Sequence, residues 1–356
     1  MKRMRLIKET YLGLVLSCLL FVLYLFAGCS KGGNSEGNNH DGDVLSGGLA
    51  TAFNATRGAF NFPVPNLYPD ELKKHLKGGA VFQALFVPPP AALSPGLGPI
   101  FNNKLCVACH IKNGRGKLDA NLTTIFFRVS IPGESEFGGP NPVPGFGTQI
   151  QNKALLGTQP EAGVIIEYIK IEGQYPDGTN YSLRKPVYKI SNPYVSLPDD
   201  ILLSPRVAPS VFGMGLLEAI PEETILAVAD PDDANGDGIS GKPNWVWDFE
   251  KSERTIGRFG WKANNPTIFQ QSASAFNEDM GVTNPLFPQE NSFGQVQYDG
   301  RNDDPEIGFE SVDAVAFYVR TLAVPARRNA DDPEVKRGQK VFEQAKCSSC
   351  HITTLK

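Results

Sequence analysis

Histidine, cysteine and methionine are scarce in this chain. Its 356 residues include 4 His, 6 Cys and 4 Met, which makes the search for metal ligands short. Basic charge is also in deficit: 34 Lys and Arg stand against 38 Asp and Glu, a net of −4. A chain of that sign has no basic footprint for nucleic acid. Charged residues make up 20% and apolar ones 41%, which excludes both a disordered and an all-membrane composition. Glycine (36) and proline (28) are plentiful and point to many loops between short elements. The length allows two or more domains.

An apolar run, Tyr11 to Ala27, follows Lys2, Arg3, Arg5 and Lys8 and precedes Gly28 and Cys29. Basic stretch, apolar stretch and small-residue cleavage site are the layout of a secretory signal. "LFAGCS" resembles a lipobox, so residues 1–28 read as a lipoprotein signal and Cys29 as the lipidated mature N-terminus. The competing reading is an uncleaved anchor, since the run is near the lower limit for a spanning helix. Either way the chain is exported and tethered to a membrane. The expected location is the cell envelope, as a periplasm-facing or surface lipoprotein of a Gram-negative bacterium. Losing 4 of the 34 bases and 1 of the 38 acids leaves a net of −7, so the lipid is the only anchor expected. Residues 29–48, rich in Gly, Asn and Ser, read as a flexible tether that holds His40 in solvent.

Cys18 leaves with the signal. The remaining four cysteines form two pairs, Cys106/Cys109 and Cys347/Cys350, each followed at once by a histidine, His110 and His351. Two thiols three residues apart can add to the two vinyl groups of haem, and the adjacent imidazole then serves as proximal iron ligand. A zinc ribbon needs its knuckles ~15–20 residues apart, and here most of the chain lies between them. A thioredoxin-like pair gives no reason for a histidine after both copies, and a disulfide across two residues closes a strained loop. Two covalent c-type haems are therefore expected. The sites also share Phe-x4-Cys-x2-Cys-His-Ile, in "FNNKLCVACHI" and "FEQAKCSSCHI". That places Phe101 and Phe342 on a helix face covering the porphyrin edge.

Residues 163–173 have strand character, with a turn at Pro176–Gly178 and a second strand near residues 181–187. Pro221, Glu222 and Glu223 open a helix running to Ala229. Ser311 caps another, with Val312, Val315, Ala316, Val319 and Leu322 at helical spacing and Pro325 as its stop. Asp332 and Pro333 open a helix that runs into Cys347, and Gly338 on it permits close approach of a partner helix. His75, in "DELKKH", reads as surface.

Several stretches together resemble the bacterial di-haem oxidoreductase family, whose members carry peroxidase and, in older usage, thiol oxidoreductase labels. They are "GLGPIFNNKLCVACHIKNGRG", "LSPRVAPSVFGMGLLEAIPE", "DPDDANGDGISGKPNWVWD", "GRFGWKA", "AFNEDMGVTNPLFP" and "CSSCH", in the family's order. The resemblance implies a mainly α fold with long loops and a few short strands, related in plan to di-haem cytochrome c peroxidases. It implies two cytochrome c-like haem domains, here residues 49–328 and the start of a second at 329–356. Family members continue past the second motif, so that domain is expected to be incomplete and its haem exposed.

The activity implied is peroxide reduction with electrons relayed between two haems, drawn from a small periplasmic donor such as a cytochrome or cupredoxin. Met280 or Met214 is the candidate distal ligand, against ordinary packing for either. Gln271 and Glu278 are candidates for proton handling, and Trp261 for electron transfer between the haems. Asp233, Asn235, Asp237 and Ile239 match the start of a calcium loop, with Gly238 at the sharp turn; a metal-free turn is the alternative. A non-catalytic electron-transfer cytochrome and a thiol-disulfide oxidoreductase are the competing functions.

Overall fold

The computed structural model describes residues 44–117 and 124–355. The signal at 1–28, Cys29, His40 and most of the tether lie outside the described residues. All described residues belong to the unit Asp43–Lys356, and none of their helices is long and apolar enough to cross a membrane.

Helix α1 (Pro69–Gln83) starts with proline at its first position, where no intrahelical N–H is lost. Glu71 Oε2 accepts the Tyr68 N–H at 2.8 Å and closes that end. A single turn, α2 (Cys106–Cys109), carries the first cysteine pair. Helix α3 (Ile268–Met280) is capped by Thr267, whose hydroxyl accepts the Gln270 N–H at 3.0 Å. It ends where Gly281 adopts φ +67°, a conformation that costs glycine little. Helix α4 (Phe309–Arg320) begins after Gly308, two residues ahead of the expected cap at Ser311, and stops well before Pro325. Val312, Val315, Ala316 and Val319 are buried on it as their spacing predicts. The expected helix after Pro221 is short, Glu222–Ala227. Helix α5 (Pro333–Gln344) is capped by Asp332, which accepts the Glu334 N–H at 2.8 Å.

Strand is nearly as abundant as helix, 26% helix against 23% strand. This overturns the expectation of a mainly α fold, and a pair of cytochrome c-like haem domains is not what the described residues show. The physical reason lies in β1 (Ile125–Glu134). Its Ile125, Phe127 and Val129 are buried and alternate with half-buried Phe126, Arg128 and Ser130, a period of two that no helix can use. The expected hairpin is present and longer: β2 (Gly163–Gln174) pairs antiparallel with β3 (Asn180–Ser191) over twelve residues. Strand β4 (Leu202–Val207) pairs antiparallel with β1, Ile125 opposite Val207. The two-residue strands Pro140–Asn141 and Gln149–Ile150 complete this sheet.

Two apolar cores result. One gathers Phe82, Phe86, Phe276, Val315 and Val319 among α1, α3 and α4. The other holds Phe127, Val143, Phe146 and Ile150 behind β1. Helices α1 and α4 approach so closely that a Cβ on Gly78 would lie 1.9 Å from the Ala314 carbonyl oxygen. His75, read from sequence as a surface residue, is buried at this crossing. Its Nδ1 is 2.7 Å from Thr321 Oγ1 and its ring lies against Tyr318.

Candidate haem site

Helix α2 begins after Leu105, and its turn is closed by the His110 N–H, which donates to the Cys106 carbonyl at 2.9 Å. This brings Cys106, Cys109 and His110 onto one wall of a cavity of about 710 Å³, within the usual size for a cofactor pocket. Phe82 of α1 lies beside the imidazole, ring centroids 6.1 Å apart. Nδ1 of His110 is 2.7 Å from the Pro209 carbonyl oxygen. That carbonyl can only accept, so Nδ1 carries the proton and Nε2 keeps its lone pair for a metal. Burial lowers the imidazole's pKa, opposed by the Pro209 bond, so the neutral ligand form prevails.

Neither cysteine is in a disulfide. Burial, then the Asp279 carboxylate, pushes the Cys106 thiol up to about 12 and the Cys109 thiol up to about 11. Redox-active thiols show the opposite shift. The donor set, its spacing and the cavity volume all fit a covalently attached haem.

The cavity gathers the candidates for distal ligand, proton handling and electron transfer. Met214, Trp261, Gln271, Glu278 and Met280 all line it. Met280 is the last residue of α3 and nearly inaccessible, whereas Met214 is half-buried. Trp261 is 49% exposed, donates its indole N–H to the Val207 carbonyl at 2.6 Å, and lies under the Arg115 guanidinium. Gln271 Oε1 accepts from Asn265 Nδ2 at 3.0 Å. Glu278 is gripped by both guanidinium arms of Arg128 and accepts from Thr148 and Ser274 hydroxyls at 3.0 and 2.9 Å. Burial pushes its carboxyl up, but Arg128 and these hydrogen bonds outweigh that and hold it below the ordinary value.

Asp279, beside it, was not singled out from sequence. Burial pushes it up to about 6, against the Gln149 amide that donates to Oδ1 at 2.8 Å. Nothing in "NEDM" separates the two acids; the arginine that does so is 150 residues away on β1.

The second motif closes with the same N–H bond but lies at the surface. The His351 N–H donates to the Cys347 carbonyl at 2.9 Å, but Cys350 and His351 are exposed. Its aromatic neighbour is Phe342 of α5, 6.0 Å away between centroids. The two phenylalanines of the repeat thus differ in structure. Phe342 is helical, whereas Phe101 sits in the short strand Ile100–Phe101, buried in the core, and Phe82 takes the place beside His110. Gly338 faces open space.

In the proposed calcium loop the side-chain oxygens turn onto their own backbone. Asp233 accepts the Gly238 N–H at 3.1 Å, Asn235 the Asp237 N–H at 2.8 Å, and Asp237 the Ile239 N–H at 2.9 Å. Among the described residues, the carboxylates that converge within 4.8 Å are instead Glu290, Asp304 and Glu306.

Comparison with known proteins finds no match among curated proteins and none among solved structures. A family model described as "Di-haem oxidoreductase, putative peroxidase" matches residues 42–356 and so includes both Cys-x-x-Cys-His motifs. With that match over most of its length, the chain belongs to the di-haem oxidoreductase family.

Proposed function

We propose that this chain is an exported di-haem c-type cytochrome that reduces peroxide, drawing electrons from a small periplasmic cytochrome or cupredoxin. One observation carries the reading: Cys106, Cys109 and a neutral imidazole aimed by Pro209 open together onto one cavity. Bound haem supplies one-electron chemistry at iron, and two haems match the two electrons that peroxide reduction takes.

The chain's own residues do the rest. The Cys106 and Cys109 thiols provide the covalent attachment, and His110 offers Nε2 to the iron. Glu278, held ionised by Arg128, fixes the end of α3. Asp279 has Oδ1 taken by Gln149 and can hold a proton on Oδ2 near neutral pH, as proton handling at this site requires. Reduced protein mixed with hydrogen peroxide is reoxidised in proportion to the peroxide added; absence of reoxidation removes the reading.

A non-catalytic electron-transfer cytochrome is the second reading, favoured by the position of Met214 and Met280 on the cavity wall. It requires a six-coordinate iron, with no high-spin band and no binding of cyanide or azide. Thiol-disulfide exchange is opposed by the raised thiols of Cys106 and Cys109, and a mass increment of two haems excludes it. Export and lipid at Cys29 are part of the proposal, checked by the mass of the mature N-terminus. Calcium belongs to it through the spacing of Asp233, Asn235 and Asp237, and calorimetric titration with Ca²⁺ decides the point.

A further inference from the structure

One face of the β1–β4 ribbon forms a wall of the cavity. The antiparallel register sets Phe126 opposite Arg206 and Arg128 opposite Ser204. Alternate residues share a face, and all four of these line the cavity. The two guanidiniums are in different states. Arg128 is neutralised by Glu278. Arg206 has no ion pair and no side-chain hydrogen bond among the described residues, and its Nε is buried without an acceptor.

Arg206 is half-buried, with Nε cut off from water, so its guanidinium faces the cavity without a counter-ion, and the cavity's own groups do not supply one. Glu278 is committed to Arg128, Asp279 accepts from Gln149, and Lys262 is a further cation. A cation left unpaired on the wall favours an occupant that brings an anion to it.

Position along the chain says which anion. Three residues beyond Arg206 is Pro209, whose carbonyl holds His110. Strand β4 ends at Val207, so these three steps of chain span at most ~10 Å, within the reach from the centre of a porphyrin to its propionates. We propose that Arg206 binds a propionate of the haem attached at Cys106 and Cys109. The inference rests on the haem reading above and adds to it the group that fixes the far edge of the ring.

The test uses the full chain purified with its haems, as wild type, Arg206→Gln and Arg206→Lys. Three quantities are measured: intact mass, the propionate bending band by resonance Raman, and the reduction potential of this haem. Arg206→Gln is expected to retain the haem, because the thioethers are untouched, while the propionate band moves. Its potential falls, because losing a nearby cation favours the ferric state. Arg206→Lys keeps the charge but loses the forked geometry, so its potential stays near wild type while its band still moves. Haem retained with band and potential unchanged in Arg206→Gln overturns the proposal and leaves the haem reading standing. A wild-type chain without haem by mass overturns both. If Arg206→Gln does not accumulate, the band of Arg206→Lys decides alone, and an unchanged band is again the overturning result.

Discussion

His110 Nδ1 lies 2.7 Å from the carbonyl oxygen of Pro209, a residue 99 positions further along the chain. A side chain on the α2 turn is thereby aimed by the backbone just after β4. This separates attachment from ligation. His110→Ala should keep its covalent haem, because both cysteines remain, but should lose the proximal ligand. The expected result is an unchanged haem increment above the polypeptide mass and a shifted visible spectrum that added imidazole restores. Cys106→Ser with Cys109→Ser should instead lower the mass by one haem. If the double serine variant keeps both haems, the assignment of this motif is wrong.

The Arg128–Glu278 pair ties β1 to α3 beside the cavity, with side chains only 25% and 23% exposed. Removing one partner strands a poorly solvated charge and costs on the order of 3 kcal/mol. Arg128→Met is therefore expected to lower the unfolding free energy by about that much, read by chemical denaturation. Arg128→Met with Glu278→Met should recover part of the loss, because no lone charge is then left. A double variant less stable than the sum of the two single variants would refute this account.

The turn of each Cys-x-x-Cys-His motif was legible in the sequence because the motif is local. Cys-x-x-Cys-His fits on one turn, and both copies fold that way, as the matching N–H bonds of His110 and His351 show. The β2–β3 hairpin was legible for the same reason, its strands being joined by one turn. What escaped depends on partners far along the chain. β1 faces β4 across 67 residues of intervening chain, 135–201, so the main sheet was missed and the fold read as mainly α. The contrast between Glu278 and Asp279 depends on Arg128, and the burial of His75 on a crossing helix. Phe101 and Phe342 occupy the same place in the repeat, yet tertiary pairing puts one in a strand and leaves the other in a helix.

Gly78 is where the crossing of α1 and α4 is decided. An added Cβ would meet the Ala314 carbonyl at 1.9 Å and Tyr318 Cβ at 2.8 Å, backbone and side-chain root that cannot step aside. Gly78→Ala should therefore cost about 1–3 kcal/mol through overpacking, despite alanine's better helix propensity. His75 and Phe82 leave the same helix toward Tyr318, so the haem spectrum should broaden as well. A thermal unfolding midpoint equal to or above that of wild type would show that the helices can separate freely.

Glu161 has no solvent exposure and is hydrogen-bonded on both oxygens. Oε2 accepts the Gln151 N–H at 2.5 Å and Oε1 accepts from Gln295 Nε2 at 2.7 Å. Burial pushes its carboxyl up from 4.5 to about 8 against those two bonds. Between these values the folded chain holds a proton that the unfolded chain has released. Stability contributed by this group is thus full below about pH 4.5 and is lost as pH rises toward 8, at about 1.4 kcal/mol per pH unit. Glu290 and Glu306, each pushed up to about 7, add slope of the same sign below that pH. Glu161→Gln removes one proton's share, most visibly toward pH 8, where the other two are mostly ionised. The amide can be satisfied in place: it accepts from Gln151, and rotation of Gln295 offers its Oε1, which has no partner now. Denaturant unfolding across pH 5 to 8 should show a flatter curve for Glu161→Gln, and identical slopes for the two proteins would mean that Glu161 is ionised in the native state.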